Sequence, residues 1–235
     1  MATESHLEFY RRWHMLSKPY IRWQFDQFQP YVGRRVADVG CGLGNFTELL
    51  ADRDFYLGID LDEELLRELG NEHQHRPHVK TARLDITKSE LEQTLAANRV
   101  DTVLCVNVIE HVAEDALAVR NMIAPLPAGG HLCLLVPALP MLFGTLDELD
   151  GHYRRYTKRT LGRLFDGLPG RVERLYYFNL IGAPGWFVKG RVLKKKRHTN
   201  DNYALMNAVL SVERPLERLV PPPFGMSVIG IFRKD

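Results

Sequence analysis

A short apolar run that breaks into three closely spaced glycines constrains the fold of this chain more than any other feature. Residues 36–39 form the run, and the glycines that follow at alternate positions are Gly40, Gly42 and Gly44. Glycine lets the backbone turn tightly and lets a ligand approach it closely. A helix is expected next, with Asn45 and Thr47 as candidate caps, and its first N–H groups would point at the ligand. A strand, a glycine-rich turn and a helix together predict a nucleotide-type cofactor site.

An acidic residue at the end of the next strand-like run supports this interpretation. Residues 55–60 form that run, and Asp60 ends it some 20 residues beyond Gly40. A carboxylate there can accept hydrogen bonds from both ribose hydroxyls of a bound nucleoside. The glycine spacing differs from the dinucleotide fingerprint G-x-G-x-x-G, because Gly44 lies two residues after Gly42 and position 45 is Asn. The spacing therefore argues against a dinucleotide-dependent oxidoreductase.

The tight glycine spacing, with Asp38 just before it, resembles motif I of the class I S-adenosylmethionine-dependent methyltransferases. Three later segments are similar to further motifs of that family in the expected order: Leu84–Ile86, Asp101–Val112 and Gly129–Pro137. The four motifs cover roughly residues 30–140. The resemblance implies S-adenosylmethionine as the cofactor, bound at the carboxyl ends of the strands.

The resemblance also implies which residues hold the methyl donor. Asp85 would meet the adenine amino group, and Asn107 would touch the methionine portion of the donor. For Asp85 the alternative is a cap before Thr87, and for Tyr20 it is ordinary packing against the sheet. The donor-binding residues expected on this basis are Asp38, Gly40, Cys41, Gly42, Gly44, Asn45, Phe46, Asp60, Leu61, Asp85, Ile86, Asn107, Val108 and Tyr20.

Glu110 and His111 follow the predicted fourth strand, beside the place of the methyl group. Glu-His is common here in the small-molecule branch of the family, including ubiquinone-biosynthesis O-methyltransferases. Some of those use a Glu-x-x-Glu-His arrangement around a metal, but Asn107 replaces the first Glu, so we predict no metal. His111 could act as a general base, since the ordinary pKa of histidine lies near neutrality. A histidine that holds the turn through a backbone hydrogen bond is the alternative.

The segment 151–156, Gly-His-Tyr-Arg-Arg-Tyr, is the second informative element. His152 could take a proton from a hydroxyl or amine, and arginine suits a carboxylate or phosphate. The alternative is that the arginines pair with the acids of 147–150. The signature resembles one in uncharacterised bacterial members of the same branch, several of them associated with secondary-metabolite or envelope-glycan pathways. The candidate catalytic residues are His152 and His111, and the expected acceptor-binding residues are Phe143, Tyr153, Arg154, Arg155, Tyr156, Asn179 and Trp186.

Alternating strand and helix patterns predict an α/β fold, with helices on both faces of a mostly parallel sheet. Together with the resemblance they imply a Rossmann-like sheet of seven strands, N-terminal helices and a helical lid inserted before the last strand. Strands are expected near 35–40, 55–60, 79–84, 101–107, 130–137, 172–179 and 227–234. Residues 138–156 are expected to form a loop and Thr157–Asp166 a helix. The expected parts of this single domain are a helical segment 1–33, a cofactor-binding core 34–180, a lid 181–226 and the final strand 227–235.

Composition limits the partners. Lys plus Arg minus Asp plus Glu is 31 − 29 = +2, which gives no polyelectrolyte character for nucleic acid. The cations of 189–197 follow apolar residues and could form a membrane-binding helix, but a solvated face is the favoured interpretation. No segment predicts a signal peptide or a membrane span, and three cysteines predict buried free thiols, so a cytoplasmic protein is expected. The oligomeric state stays open between monomer and homodimer.

The sequence therefore predicts methyl transfer from S-adenosylmethionine to an oxygen or nitrogen of a small molecule. A natural product or a glycan or lipid intermediate is the kind of acceptor expected. A nucleic-acid methyltransferase is the first alternative, but the Asn/Asp-Pro-Pro-aromatic motif of base-amino methylation is missing at 107–110. A protein methyltransferase and a noncatalytic S-adenosylmethionine-binding protein remain as further alternatives.

Overall fold

The computed structural model describes residues 5–194 and 203–235. In these ranges the strands are β1 Arg35–Val39, β2 Phe55–Asp60, β3 Val79–Arg83, β4 Thr102–Val106, β5 His131–Pro137, β6 Gly170–Phe178 and β7 Ser227–Lys234. The α-helices are α1 His6–Leu16, α2 Lys18–Phe28, α3 Glu63–Glu72, α4 Ser89–Ala97, α5 Asp115–Ile123, α6 Thr145–Asp150, α7 Lys158–Arg163, α8 Gly182–Phe187 and α9 Tyr203–Leu219.

The seven strands form one sheet in the order β3-β2-β1-β4-β5-β7-β6. The pairs from β3 to β5 are parallel, and β7 is antiparallel to both of its neighbours. The predicted Rossmann-like, mostly parallel sheet of seven strands is confirmed. The direction of strand addition reverses between β1 and β4, and ligands of such sheets bind at that point.

Helices cover both faces of the sheet, as the alternation predicts. Successive residues of a strand point to opposite faces, so Val36 and Leu104 belong to one apolar cluster while Ala37 and Val103 belong to the other. One cluster packs against α4, α5 and α7, and the other against α2, α3 and α9. The three cysteines are buried and free, in agreement with the sequence prediction.

Two local predictions are wrong. The glycine turn does not lead into an α-helix: residues 42–47 form successive turns, and a short 3₁₀ helix follows at Glu48–Leu50. Thr47 makes no capping hydrogen bond there, and Asn45 bonds to His14 instead. Left-handed glycines interrupt the φ angles that an α-helix requires, which explains the series of turns. The second error concerns the predicted loop 138–156, which contains α6.

The described part of the insertion before the last strand is mostly helical up to Leu219. It contains α8, a π-helical turn at Val188–Val192 and α9. The cationic residues 195–197 of the predicted amphipathic helix lie outside the described residues. Among the described residues, no helix is both long and apolar enough to span a bilayer.

Candidate functional site

A cleft of about 670 Å³ opens at the carboxyl ends of β1 and β4. The connections from these two strands run in opposite directions, so they part and leave room for a ligand. Its walls contain many of the residues predicted from the sequence: Tyr20, Asp38, Gly40, Cys41, Asn45, Phe46, Asn107, His111, His152, Arg155 and Trp186. The structure thus brings donor-side and acceptor-side predictions to one place.

The three glycines after β1 all have left-handed backbone conformations. The φ angles are +68° at Gly40, +52° at Gly42 and +79° at Gly44, a region that residues with a Cβ rarely adopt. The Gly42 N–H donates a hydrogen bond of 2.9 Å to Oδ2 of Asp60. Asp60 therefore shapes the turn in addition to lying at the expected end of β2.

Asp38 lies buried on β1 and lines the cleft. Its carboxyl group accepts a hydrogen bond of 2.9 Å from the hydroxyl of Tyr56. Burial raises the pKa of Asp38 to about 7, and the negative charge of Asp60 acts in the same direction. A cationic ligand would favour the ionised form of this carboxyl group.

Helix α1 forms another wall of the cleft with aromatic side chains. Phe9, Tyr10 and Trp13 line it, although none of the residues of α1 is buried. A Cβ added at Gly42 would lie 3.3 Å from two carbons of the Tyr10 ring. Sequence reasoning missed these three residues as site residues, because their helical spacing equally predicts a face packed on a core.

Polar contacts hold α1 to the loops of the glycine turn and β2. His14 Nδ1 lies 3.0 Å from Oδ1 of Asn45. His6 Nδ1 lies 3.1 Å from Oδ2 of Asp62, and Arg11 pairs with Glu68. None of the residues of α1 is buried, and exposed polar contacts of this kind contribute little to stability.

Asp147 is the centre of a hydrogen-bond network on the opposite side of the cleft. It is fully buried on α6 and accepts hydrogen bonds from Nε of Arg155 at 2.6 Å and Nε1 of Trp186 at 3.3 Å. Nδ1 of His152 lies 2.9 Å from its carboxylate. Burial alone would raise the pKa of Asp147, but the bonds from His152 and Arg155 hold it below its ordinary value. The alternative proposed for Arg155, pairing within its own segment, is therefore observed.

Glu110 and His111 occupy the 3₁₀ turn Ile109–His111 after β4. The backbone N–H of Tyr153 donates to the Glu110 carbonyl oxygen at 2.8 Å, which ties this turn to the segment 151–156. Burial raises the pKa of the Glu110 carboxyl group to about 8. Burial, followed by the nearby His152, lowers the pKa of His111.

Three donor groups meet in this region. A carboxylate oxygen of Glu110 and a ring nitrogen each of His111 and His152 lie within 4.8 Å of one another. Groups of these types at such a spacing are compatible with a divalent cation as well as with a polar ligand group. The expectation of a metal-free site, made from Asn107 in place of a glutamate, stays a prediction.

Other predicted residues lie outside the lining of the cleft. Asp85 accepts hydrogen bonds from the N–H and the hydroxyl of Thr87 at 2.9 and 2.8 Å, which close a local turn; it does not cap α4, whose N-cap is Lys88. Nδ2 of Asn179 donates to the Tyr20 hydroxyl at 3.3 Å and so supports a residue that lines the cleft. The predicted residues that do not line the cleft are Gly42, Gly44, Asp60, Leu61, Asp85, Ile86, Val108, Phe143, Tyr153, Arg154, Tyr156 and Asn179.

Three of the expected acceptor-binding residues are occupied elsewhere. Nη1 of Arg154 lies 2.7 Å from Asp115 of α5, and the hydroxyl of Tyr156 donates to the same carboxylate at 2.8 Å. Tyr153 is 62% exposed to solvent. These contacts with α5 and with solvent place the three side chains outside the walls that an acceptor in the cleft would touch.

The central part of the chain matches a known family model, described as a methyltransferase domain, over residues 37–132. That match runs from β1 into β5 and contains the glycine turn, Asp60 and the turn after β4. The chain carries a class I methyltransferase domain.

Relatives of the methyltransferase domain include the ubiquinone biosynthesis O-methyltransferase of Acinetobacter baumannii strain ACICU. It is 32% identical over 131 residues, which cover 55% of this chain and 54% of the relative. The chain thus spans about half the length of the curated relatives it matches.

Solved structures with the same fold include S-adenosylmethionine-dependent methyltransferases from Archaeoglobus fulgidus and Mesorhizobium loti. The first has a TM-score of 0.61 at 19% identity and covers 94% of each chain. The second has a TM-score of 0.60 at 16% identity, with 93% of this chain and 98% of the other covered. At these identities the likeness shows the fold alone.

Proposed function

We propose that this chain transfers the methyl group of S-adenosylmethionine to a hydroxyl group of a small molecule bound in the cleft. The observation that carries the proposal is the pairing of His152 with the buried Asp147 in the wall of a cofactor-sized cleft. The choice of oxygen over nitrogen is supported by the relatives, which are named O-methyltransferases. A natural product or a glycan or lipid intermediate remains the kind of acceptor we expect.

The donor side of the cleft fits S-adenosylmethionine. Left-handed glycines leave space where a Cβ at Gly42 would crowd Tyr10, and Asp60 at the end of β2 holds this turn through the Gly42 N–H. Asp38 offers a carboxyl group to a ligand that carries a sulfonium and an ammonium group. When bound, the sulfonium supplies a methyl group that is already activated for in-line displacement. The chain must then align a nucleophile with that methyl group and accept its proton.

His152 is the residue that we propose accepts this proton. Its Nδ1 faces the ionised Asp147, which favours the tautomer with the proton on Nδ1. Nε2 is then left as the basic nitrogen, and the carboxylate stabilises the imidazolium that forms when the hydroxyl proton arrives. Burial lowers the pKa of His111, which weakens it as a base, so it is the second candidate.

Trp186 links the insertion to this network. It donates to Asp147, and the guanidinium carbon of Arg155 lies 5.0 Å from the centre of its ring. The start of the segment 181–226 therefore supplies one wall of the acceptor side, in line with the proposed role of that segment as a lid. The wider division into helical segment, cofactor core, lid and final strand is likewise part of this proposal.

Two measurements test the proposed function. Calorimetry should detect binding of S-adenosylmethionine and S-adenosylhomocysteine, and transfer of a radiolabelled methyl group should be measured against phenols and aliphatic alcohols. His152→Gln should lower kcat by about 10²-fold or more, with donor affinity retained. His75→Gln, a change of an exposed histidine, is the matched control and should leave both unchanged. Failure to bind either nucleoside would refute the proposal, and full activity of His152→Gln would remove His152 as the base.

A further inference from the structure

Two glutamates on α9 bind the backbone at the start of the insertion. Oε1 of Glu213 accepts a hydrogen bond of 2.6 Å from the Ile181 N–H. Oε1 of Glu217 accepts one of 2.8 Å from the Leu180 N–H, and its Oε2 accepts one of 3.2 Å from the Asn179 N–H. Two side chains that lie one helical turn apart therefore hold three consecutive N–H groups of the chain.

The segment held in this way is connected to two residues that line the cleft. Nδ2 of Asn179 donates to the hydroxyl of Tyr20, which lines the cleft. Helix α8 begins directly after this segment and carries Trp186, another lining residue, which donates to Asp147. A displacement of residues 179–181 would therefore change the surroundings of both Tyr20 and Trp186.

Asn179 itself has a strained backbone. Its φ angle is +63°, in the left-handed region that residues with a Cβ rarely adopt. Its Oδ1 accepts a hydrogen bond of 2.8 Å from the Gly182 N–H, which closes the turn into α8. Such a conformation persists where the surrounding contacts hold it. Loss of the bonds from the two glutamates would therefore let this turn relax.

The two carboxyl groups repel each other unless they share a proton. Glu213 is 2% exposed, and its carboxyl group forms a hydrogen bond with that of Glu217. Ionised carboxylates have no hydrogen to donate, so this bond requires one of the two groups to be protonated. Burial raises the pKa of Glu213 to about 7 against the opposing hydrogen bond from Ile181, and the charge of Glu217 adds to the rise. The pair therefore gains its second negative charge near neutral pH.

Two tyrosines and two arginines lie around this pair. Burial raises the pKa of Tyr20 on α2 and of Tyr176 on β6, so both phenols are neutral at pH 7. Arg214 and Arg218 follow the two glutamates in the sequence, but both pair with Asp26 of α2. The charges of the arginines are thus directed to Asp26. A second negative charge on the pair would be disfavoured by its buried surroundings.

We propose that Glu213 and Glu217, here called the carboxyl clamp, position the start of the insertion: they hold it against α9 while they share one proton and release it when both are ionised. Once ionised, Glu213 is more stable in water, and the Ile181 N–H loses its 2.6 Å hydrogen bond. The turn at Asn179 and helix α8 then move away from α9, and Trp186 leaves the acceptor side of the cleft. Where it concerns the acceptor, this inference rests on the proposed function.

Proton linkage gives the size of the effect. The pKa of Glu213 is about 7 when the clamp is closed, and the ordinary value of 4.5 applies when the side chain is in water. An acid whose pKa is raised in the closed state favours that state at low pH, and this preference is lost as the pH rises from 4.5 to about 7. Between pH 6 and pH 8 the equilibrium constant for opening should therefore rise about tenfold.

Hydrogen exchange of the full chain at pH 6 and pH 8 tests the clamp without any acceptor. After correction for the exchange rate of an unstructured chain, the amides of residues 179–187 should be about tenfold less protected at pH 8 than at pH 6. The amides of α4 are the internal reference and should keep their protection. Equal protection of residues 179–187 at the two pH values would overturn the proposal.

Glu213→Gln separates a proton-dependent clamp from a purely structural contact. Its amide oxygen can accept from the Ile181 N–H and its nitrogen can donate to Glu217, but the amide cannot ionise. This variant should therefore keep at pH 8 the protection that it has at pH 6. Glu217→Gln should also remove the pH response, and it serves if the first variant does not fold. Glu64→Gln, a change of an exposed glutamate on α3, is the matched control and should respond as the unmodified chain does. A pH response that persists in the glutamine variants of the clamp would refute its role.

Methyl transfer gives a second measurement, with a phenol or alcohol that the transfer assay identifies as an acceptor. At saturating donor, the KM for that compound should rise by up to about tenfold from pH 6 to pH 8 in the unmodified chain and stay level in Glu213→Gln. An equal rise of KM in both chains would contradict a role of the clamp in acceptor binding. If no compound is methylated, the proposed function fails, and hydrogen exchange still decides whether the clamp exists.

Discussion

Alanine at Gly40 should destabilise the protein strongly, for two reasons that can be measured separately. The φ angle of +68° is unfavourable for any residue with a Cβ. In addition, the new Cβ would lie 2.2 Å from Cγ2 of Val108, a distance at which one of the two atoms must move. Val108 immediately precedes the turn that contains Glu110 and His111. The clash therefore strains the contact between the glycine turn and the segment after β4.

The structure gives the size of each part. The left-handed conformation costs about 1–2 kcal/mol, and overpacking a filled contact costs about 1–3 kcal/mol more. Gly167 isolates the first part, because its φ is +75° and an added Cβ would meet no atom within 4 Å. Gly40→Ala should therefore lower the free energy of unfolding by about 2–5 kcal/mol, and Gly167→Ala by about 1–2 kcal/mol.

A double-mutant cycle with Val108→Ala tests the contact directly. Without its γ carbons, position 108 leaves only a Cβ at 3.5 Å from the new methyl group, which is an ordinary contact. Gly40→Ala in that background should cost about as much as Gly167→Ala alone, with a coupling of about 1–3 kcal/mol. Urea unfolding followed by circular dichroism measures all four variants. Equal losses for Gly40→Ala in both backgrounds would refute the reasoning.

Three further predictions follow from charges and contacts in the cleft. Burial holds the pKa of Asp38 at about 7, so this carboxyl group ionises as the pH rises from 6 to 8. The affinity for the cationic donor, measured by calorimetry, should rise over the same range. Asp38→Asn should remove that rise. Asp147→Asn leaves the buried Arg155 without its counter-charge and should lower the free energy of unfolding by about 3 kcal/mol, and an unchanged urea midpoint would contradict this. Arg11→Ala removes the pairing with Glu68 and should increase the stopped-flow dissociation rate of S-adenosylhomocysteine about twofold, whereas a slower release would show that α1 does not cover the donor.

The donor half of the site could be predicted from sequence because its residues lie close together along the chain. The strand β1, the turn at Gly40 and the acid at Asp60 form one local unit, and parallel strands bring their carboxyl ends to the same edge. In this half of the site, the prediction of an α-helix directly after the glycine turn is wrong. Local glycine signals show that the chain turns, but the number of consecutive turns depends on packing against α3 and Tyr10.

The acceptor half could not be predicted in the same way, because long-range contacts decide which residue has which role. Three acids lie between 147 and 150, and nothing in their order identifies Asp147 as the buried one. Arg154 and Arg155 are adjacent, yet one pairs with α5 and the other with Asp147. The aromatic face of α1 has the spacing of a core helix, and only the fold shows that it borders the cleft.

The position of β7 in the sheet affects how the chain folds and which segment can vary in length. Among the strands in the described ranges, β6 lies at the edge of the sheet and pairs with β7 alone, and residues 179–226 separate the two along the chain. β6 can therefore pair with β7 only after residues 179–226 have folded back to the sheet. The connections between β1 and β5 are shorter. Closing a longer loop adds only about 0.6 kcal/mol per doubling of its length. The segment that we propose as the lid can thus change in length during evolution at little cost in folding free energy to the strands beside the proposed donor site.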